Sequence, residues 1–279
     1  MGADALQLYA DLPILSAAPT AHERGRVPHH LVGAADAADG WSVGRWLRAA
    51  TQVLAEIAGR GRPAVVVGGT GLYFRALTQG LADVPAIPSA VRAEAEAKYR
   101  EVGEEDLRGL LRAADPRAEA RISPGDKQRL VRAWEVWLGT GKALSDWQAL
   151  STGGLAPGSW RAVALEPPRA VLYDRCDARF GGMVAAGALA EVARLAARGL
   201  NPALPALKAV GFPELAAHLR GELTLPEAIA AAQRETRRYA KRQTTWMRGQ
   251  MADWPRITDT DIDGQWSKFL ALNPGLTVG

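Results

Sequence analysis

The chain has one cysteine in 279 residues, Cys176, so no disulfide can form within it and a reducing compartment is the simpler setting. Asp174 and Asp177 flank that thiol and would not lower its pKa, which marks a packed side chain rather than a nucleophile. No apolar run approaches the roughly 20 residues that a membrane span requires. The N-terminus, Met1-Gly2-Ala3-Asp4, carries neither the basic region nor the apolar core of a signal peptide. These absences predict a cytoplasmic protein with no membrane partner. Internal repeats and low-complexity tracts are also lacking, which excludes a repeat array. His29 and His30 are the nearest approach to a metal motif, in Val27-Pro28-His29-His30-Leu31. Adjacent residues of an extended chain point opposite ways, and no Cys, His or Asp cluster accompanies them, so they read as structural.

Hydrophobic residues make up 48% of the chain and charged residues 23%, an ordinary balance for a soluble globular protein. Alanine, arginine and glutamate are heavily used, which favours helix over strand. A formal charge of +4 and a pI near 9.4 are compatible with a nucleic-acid partner, but many enzymes of small substrates share them. Where the charge sits decides the matter.

Residues 1–80 read as α/β. Val43, Trp46, Leu47, Ala50, Leu54 and Ile57 recur at steps of three and four, predicting an amphipathic helix from about Val43 to Gly59. Pro63-Ala64-Val65-Val66-Val67 follows as a short apolar run suited to a parallel strand buried on both faces. Val84-Pro85-Ala86-Ile87-Pro88 is a boundary, because two prolines interrupt helix and sheet alike. Beyond it the pattern is helical: Ser89–Val102, Glu104–Ala114, Asp115–Ile122 and Asp126–Gly139. Ser151–Gly158 is a loop by composition, and a second strand, Arg161–Leu165, ends at Pro167-Pro168. Helices are expected at Arg169–Arg198, Leu207–Arg220 and Leu225–Met251. The predicted organisation is an α/β core (1–86 and 161–279) interrupted by a helical insertion (87–160).

Three segments carry candidate chemistry. Gly68-Gly69-Thr70-Gly71 follows the first strand directly, where glycines allow close backbone approach and α/β proteins hold phosphates. Gly-Gly after a strand is as often a tight turn. Arg234 to Arg248 holds six cationic residues against the single acid Glu235. On a helix Arg234, Arg237, Arg238 and Lys241 fall on adjoining turns of one face, with Tyr239 and Arg242 to the side. A solvated basic face is the usual fate of such a run, but so little compensating acid favours an anionic ligand. Asp4 to Tyr9 alternates polar and apolar residues as a strand end would. A carboxylate there is a candidate general base, although a surface aspartate in a frayed terminus is the plainer reading.

Taken in order, these motifs resemble the tRNA dimethylallyltransferase (tRNA isopentenyltransferase) family through essentially the whole chain. Asp4-Ala5-Leu6-Gln7-Leu8-Tyr9 is similar to the family's D-S-x-Q-x-Y, and Val27–Leu31 and Val67–Tyr73 follow. The insertion carries Asp115-Pro116, Ala120-Arg121-Ile122 and Asp126–Val136, then Thr140-Gly141-Lys142. Ala209-Val210-Gly211-Phe212 and Thr236–Trp246 complete the set. The resemblance implies a P-loop-NTPase-like parallel-sheet core and transfer of a dimethylallyl group from its pyrophosphate to N6 of the adenosine 3′ of the anticodon. That base must leave its stack to react. Asp4 matches the carboxylate that accepts the N6 proton. Asp4, Ala5, Leu6 and Gln7, with Gln128, Arg129, Leu130, Val131 and Arg132, match segments that contact tRNA. Thr70, Arg237, Lys241 and Arg242 match the pyrophosphate site, where fixed cations would stabilise the departing charge. The insertion would clamp the anticodon stem, Mg²⁺ is the expected cofactor, and a monomer is expected.

The family's G-x-T-x-x-G-K-[ST] phosphate loop and the strand before it should precede Asp4, and Met1-Gly2-Ala3 does not supply them. An incomplete N-terminus is therefore expected, with Val65–Val67 left with an unpaired edge and the loop's Mg²⁺ ligand absent. Ala5 stands where serine is usual, and Ala18 where a basic residue is usual. Two further readings stay open at this point. One is a non-catalytic tRNA-binding remnant. The other is a relative of the nucleotide kinases, for which the insertion and Thr236–Trp246 would have no role.

Overall fold

The computed structural model describes residues 1–150 and 153–274, so Ser151 and Thr152 of the expected loop lie outside the described residues. In chain order the elements are α1 (Ala21–Arg26), α2 (Val43–Gly59), α3 (Gly71–Gln79), α4 (Ser89–Ala114), α5 (Pro116–Arg121), α6 (Lys127–Thr140) and α7 (Leu144–Ala149). Then come β1 (Ala164–Leu165), α8 (Arg169–Ala185), α9 (Ala188–Ala196), α10 (Phe212–Leu219), α11 (Leu225–Gln250), β2 (Arg256–Ile257) and α12 (Ile262–Leu272). A 3₁₀ turn at Pro205–Lys208 precedes α10. The chain divides into two units, Met1–Ala76 with Ala156–Gly279, and Leu77–Leu155.

The first unit holds the sheet. Strands β1 and β2 run parallel, with Ala164 opposite Arg256 and Leu165 opposite Ile257. Gly2 bridges Val67 and Tyr9 bridges Ala35, both in parallel sense. The run Pro63–Val67 departs from expectation: Val65 and Val67 are 45% and 66% exposed rather than buried on both faces. Its backbone bonds go to the N-terminal segment, Val67 N–H to Met1 O and Ala3 N–H to Val67 O, at 3.0 and 2.7 Å. One side is thus paired, and among the described residues no strand pairs with the other, which leaves that edge's N–H and C=O groups without strand partners.

Helices α1, α2, α11 and α12 start where side chains supply acceptors. Ser42 caps α2 by accepting from Arg45 N–H, and Thr224 with Glu227 forms a reciprocal capping box at α11. The face of α2 read from its periodicity is buried at Trp46, Ala50 and Ile57. Trp46 stacks on Tyr73, centroids 4.2 Å apart, and donates its indole N–H to Gly2 O. The expected helix Arg169–Arg198 is instead two, because Gly187 at φ 102° ends one and begins the next. Gly211, at φ 95°, likewise splits the expected Leu207–Arg220. The core gathers Leu8, Leu12, Phe180, Val192, Leu195 and Leu215. Glu191, also buried, accepts from the N–H groups of Ile14 and Leu15 at 2.8 and 2.9 Å and so secures that loop. Cys176 is buried, and burial pushes its thiol pKa up, as befits a packing residue.

The second unit is helical among its described residues. Helix α4 is broken by a non-helical residue at Gly103, between the two helices read from sequence. Its Ala95, Leu107 and Leu111 join Ala118, Ile122, Leu130, Val131 and Ala133 in one apolar cluster. Asp115 caps α5 by accepting from Ala118 N–H at 2.9 Å and also accepts from Ser145 N–H at 2.9 Å, tying the start of α7 to α5. Asp126 caps α6, and Gly141 ends it in the left-handed conformation.

Candidate active site

Asp4 lies two residues beyond the Gly2–Val67 bridge, at the carboxyl end of that pairing. The segment after it turns rather than extending, contrary to the strand-like alternation of Asp4–Tyr9. Asp4 Oδ1 accepts from Leu6 and Gln7 N–H at 2.8 and 3.2 Å, and a carboxylate offering such acceptors draws the backbone into a turn. One carboxylate oxygen is thereby fixed. The other, Oδ2, faces the glycine loop, 3.8 Å from where a side chain on Gly69 would begin.

The loop closes onto this turn by two bonds. Thr70 Oγ1 accepts from Ala5 N–H at 2.9 Å, and Thr70 N–H donates to Ala3 O at 3.1 Å. Because the hydroxyl uses a lone pair, its proton remains available to a ligand oxygen. Close approach dictates the glycines. A Cβ on Gly68 would lie 2.2 Å from the Ala3 backbone, and one on Gly71 the same distance from the Trp246 ring.

Helix α11 supplies the third side. Gln243 donates from Nε2 to Gly69 O at 2.9 Å. Burial first, then the Asp4 charge, raises the Tyr239 pKa, with Arg242 opposing. Burial also lifts Tyr73, with Tyr9 and Asp4 adding to it, to about 12. Both phenols therefore stay protonated at neutral pH and face Asp4 as neutral groups.

Of the expected pyrophosphate residues, Arg237 directs Nη1 at both oxygens of Asp177 on α8, each at 2.6 Å. Arg242 lies 5.5 Å from the Tyr239 ring centroid, and Lys241 is exposed. Thr70 and Gln243 meet at the glycine loop beside Asp4, whereas Arg237 is already engaged. Within the expected tRNA-contact segments, Gln7 donates to the carbonyls of Ser16 and Ala17, and Ala5 and Leu6 are half-buried. On α6, Leu130 and Val131 lie in the core, which leaves Gln128, Arg129 and Arg132 to face outward. Arg129 pairs with Asp126 at 2.9 Å and Arg132 with Glu135 at 2.7 Å. Among the described residues no group of three or more His, Cys, Asp or Glu side chains is placed to hold a metal. No helix among them is long and apolar enough to cross a membrane.

Asp177, Tyr239, Gln243 and Trp246 were not singled out by sequence as site residues. The last three lie in the Thr236–Trp246 motif, where spacing along α11 could have placed Tyr239 and Gln243 one turn apart. Asp177 has no local signal.

A carboxylate at a parallel-strand end, a glycine loop closing on it and a basic helix beside both define an α/β protein built to bring an anion to a polar reacting group. The IPP transferase family model matches residues 7–250, and the chain belongs to that family. It is 64% identical over 277 residues to the tRNA dimethylallyltransferase of Phenylobacterium zucineum, covering 99% of this chain and 90% of that one. To the tRNA dimethylallyltransferase of a Caulobacter species it is 58% identical, over 92% and 83% of the two chains. The full-length tRNA isopentenylpyrophosphate transferase of Bacillus halodurans superposes with a TM-score of 0.67 at 34% identity, over 96% and 84%. A eukaryotic dimethylallyltransferase acting on tRNA shares the fold, with a TM-score of 0.79 at 24% identity over 98% and 69%. The core is accordingly of P-loop-NTPase-like type, carrying a small parallel sheet.

Proposed function

We propose that this chain is a cytoplasmic, monomeric tRNA dimethylallyltransferase that prenylates N6 of the adenosine 3′ of the anticodon, with dimethylallyl pyrophosphate as donor. The observation that carries this reading is the closure of the Gly68–Thr70 loop and α11 around Asp4. The exocyclic amine attacks C1 of the dimethylallyl group as the C1–O bond breaks and pyrophosphate departs. The N6 proton passes to the free oxygen of Asp4, whose other oxygen is fixed by two backbone N–H groups. The family motif assigns Thr70's hydroxyl proton and the exposed cations Lys241 and Arg242 to the charge gathering on the leaving group. Arg237 reaches that charge by exchanging Asp177 for a phosphate oxygen. Mg²⁺ is expected from the family, and no step is assigned to it.

On the insertion, Gln128, Arg129 and Arg132 present the outward face of α6 for RNA phosphates. The test is transfer of a labelled dimethylallyl group to an anticodon stem-loop, with Asp4→Ala as control. Transfer abolished by that change supports the reading. Stem-loop binding with no transfer by the unaltered chain would instead identify an RNA-binding protein.

A further inference from the structure

A cleft of about 550 Å³ lies at the carboxyl ends of β1 and β2 and shares no residue with the Asp4 network. Its lining includes Glu166, Pro168, Arg169, Arg248, Arg256 and Thr258. The ends of parallel strands are where open α/β sheets receive ligands, and the volume is that of a small-molecule site. Three guanidinium groups meet one carboxylate there, so two positive charges are left uncompensated among the lining residues.

The three arginines are held differently. Arg256 donates from Nη2 to the carbonyls of Met247 and Met251 at the end of α11, at 3.1 and 2.7 Å. Its Nη1 is buried without a partner, and its Nε lies 3.6 Å from Glu166 Oε2. Arg248 bonds Glu166 Oε1 through Nε at 2.6 Å, yet its side chain is 69% exposed. Arg169 begins α8, donates to the Tyr173 hydroxyl at 3.0 Å and stacks over that ring. Pro168, at the N-cap, offers no side-chain acceptor to the first N–H groups of α8. A fixed guanidinium, two exposed ones and an uncapped helix start on one cleft form an arrangement short of negative charge.

We propose that this cleft is a second anion site, taking a small ligand that carries a phosphate or diphosphate group, with Glu166 as the internal competitor for Arg248. The ligand would accept from Arg169 and Arg248 and displace Arg248 from Glu166. This predicts effects of opposite sign. Removing either exposed arginine weakens binding, whereas neutralising Glu166 releases Arg248 and strengthens it.

The experiment is calorimetric titration of the full chain with inorganic pyrophosphate at low ionic strength, in an Arg237→Ala/Lys241→Ala/Arg242→Ala background that removes the three cations proposed for the transfer site. Arg169→Ala and Arg248→Ala should each weaken binding about tenfold, the size of one charge-assisted hydrogen bond. Glu166→Gln should tighten it about threefold or more, a direction that fold damage does not produce. Both arginines are exposed, so circular dichroism melts of those two variants should match the parent. Absence of binding at millimolar pyrophosphate in that background would overturn the proposal, as would unchanged isotherms in the arginine variants or weaker binding in Glu166→Gln. Parallel titrations with ATP and with stem-loop RNA identify the source of the phosphate. A response to Arg169 and Arg248 seen only with RNA would overturn the assignment to a small ligand.

Discussion

The side-chain amide of Gln243 donates to the carbonyl oxygen of Gly69 at 2.9 Å, joining the middle of α11 to the loop that faces Asp4. Thr70 joins the same loop to Ala3 and Ala5 on either side of Asp4. Three segments far apart in sequence thus share one polar knot, and the carboxylate's position depends on all of them.

Gln243→Leu removes one strand of that knot while keeping bulk on the helix. The Gly69 carbonyl then lacks its partner, at a cost of about 1–3 kcal/mol. Because the loop is part of the site, this loss should appear as at least tenfold slower prenyl transfer, with the melting temperature lowered by only a few degrees. Single-turnover transfer and a thermal melt measure the two effects separately. Full transfer in the variant would make Gln243 a packing residue only.

The Gly71–Trp246 contact gives a stability prediction. A Cβ at residue 71 would lie 2.2 Å from the indole, so Gly71→Ala forces loop and helix apart and should cost about 1–3 kcal/mol. Trp246→Leu opens the space, and the two changes together should cost less than the sum of each alone. Denaturant midpoints for the four chains complete the cycle. Strict additivity would mean that the two residues do not constrain each other.

Which parts of this arrangement are legible in sequence follows from how local their causes are. Helices α2 and α6 are readable because apolar steps and capping residues lie within the elements they define. The Gly103 break is readable for the same reason, but those at Gly187 and Gly211 hide in stretches whose composition is otherwise helical. The run Pro63–Val67 looks like a buried strand, yet burial depends on neighbours that composition cannot specify. At the site, Asp4, Thr70 and the basic helix are marked by motif. The Asp177–Arg237 pair, 60 residues apart, and the Gln243–Gly69 bond, 174 apart, are set by tertiary contacts alone.

Asp115 makes stability depend on acidity. Burial pushes its pKa up, but hydrogen bonds from Ser145 and Ala118 outweigh burial and hold it below the ordinary 3.8. A carboxyl with a depressed folded pKa contributes stability that is fully present above the unfolded value, near 3.8 here, and is lost as pH falls through the lower folded value. Asp115→Asn keeps one acceptor but turns the other into an amide donor, so either Ala118 or Ser145 N–H loses its partner, which should cost about 1–3 kcal/mol at pH 7. The gap between variant and parent should narrow below about pH 4. Urea midpoints at pH 7, 5 and 3 test this, and a gap constant across that range would exclude the linkage.

Neighbours on α6 should separate RNA binding from folding. Arg129 is exposed and pairs with Asp126, an ion pair worth little in water, whereas Leu130 is fully buried in the second unit's core. If the outward face of α6 meets RNA phosphates, Arg129→Ala weakens stem-loop binding without changing the melting temperature. It should also reduce the slope of log K against log salt by about one, since one fewer counterion is released. Leu130→Ala should do the reverse, costing about 2–5 kcal/mol of stability by leaving a cavity, with the salt slope of the remaining folded protein unchanged. Filter binding at several salt concentrations, read beside thermal melts, distinguishes the two. An unchanged slope in Arg129→Ala would remove that arginine from the RNA-contacting surface and leave Gln128 and Arg132 to account for binding through α6.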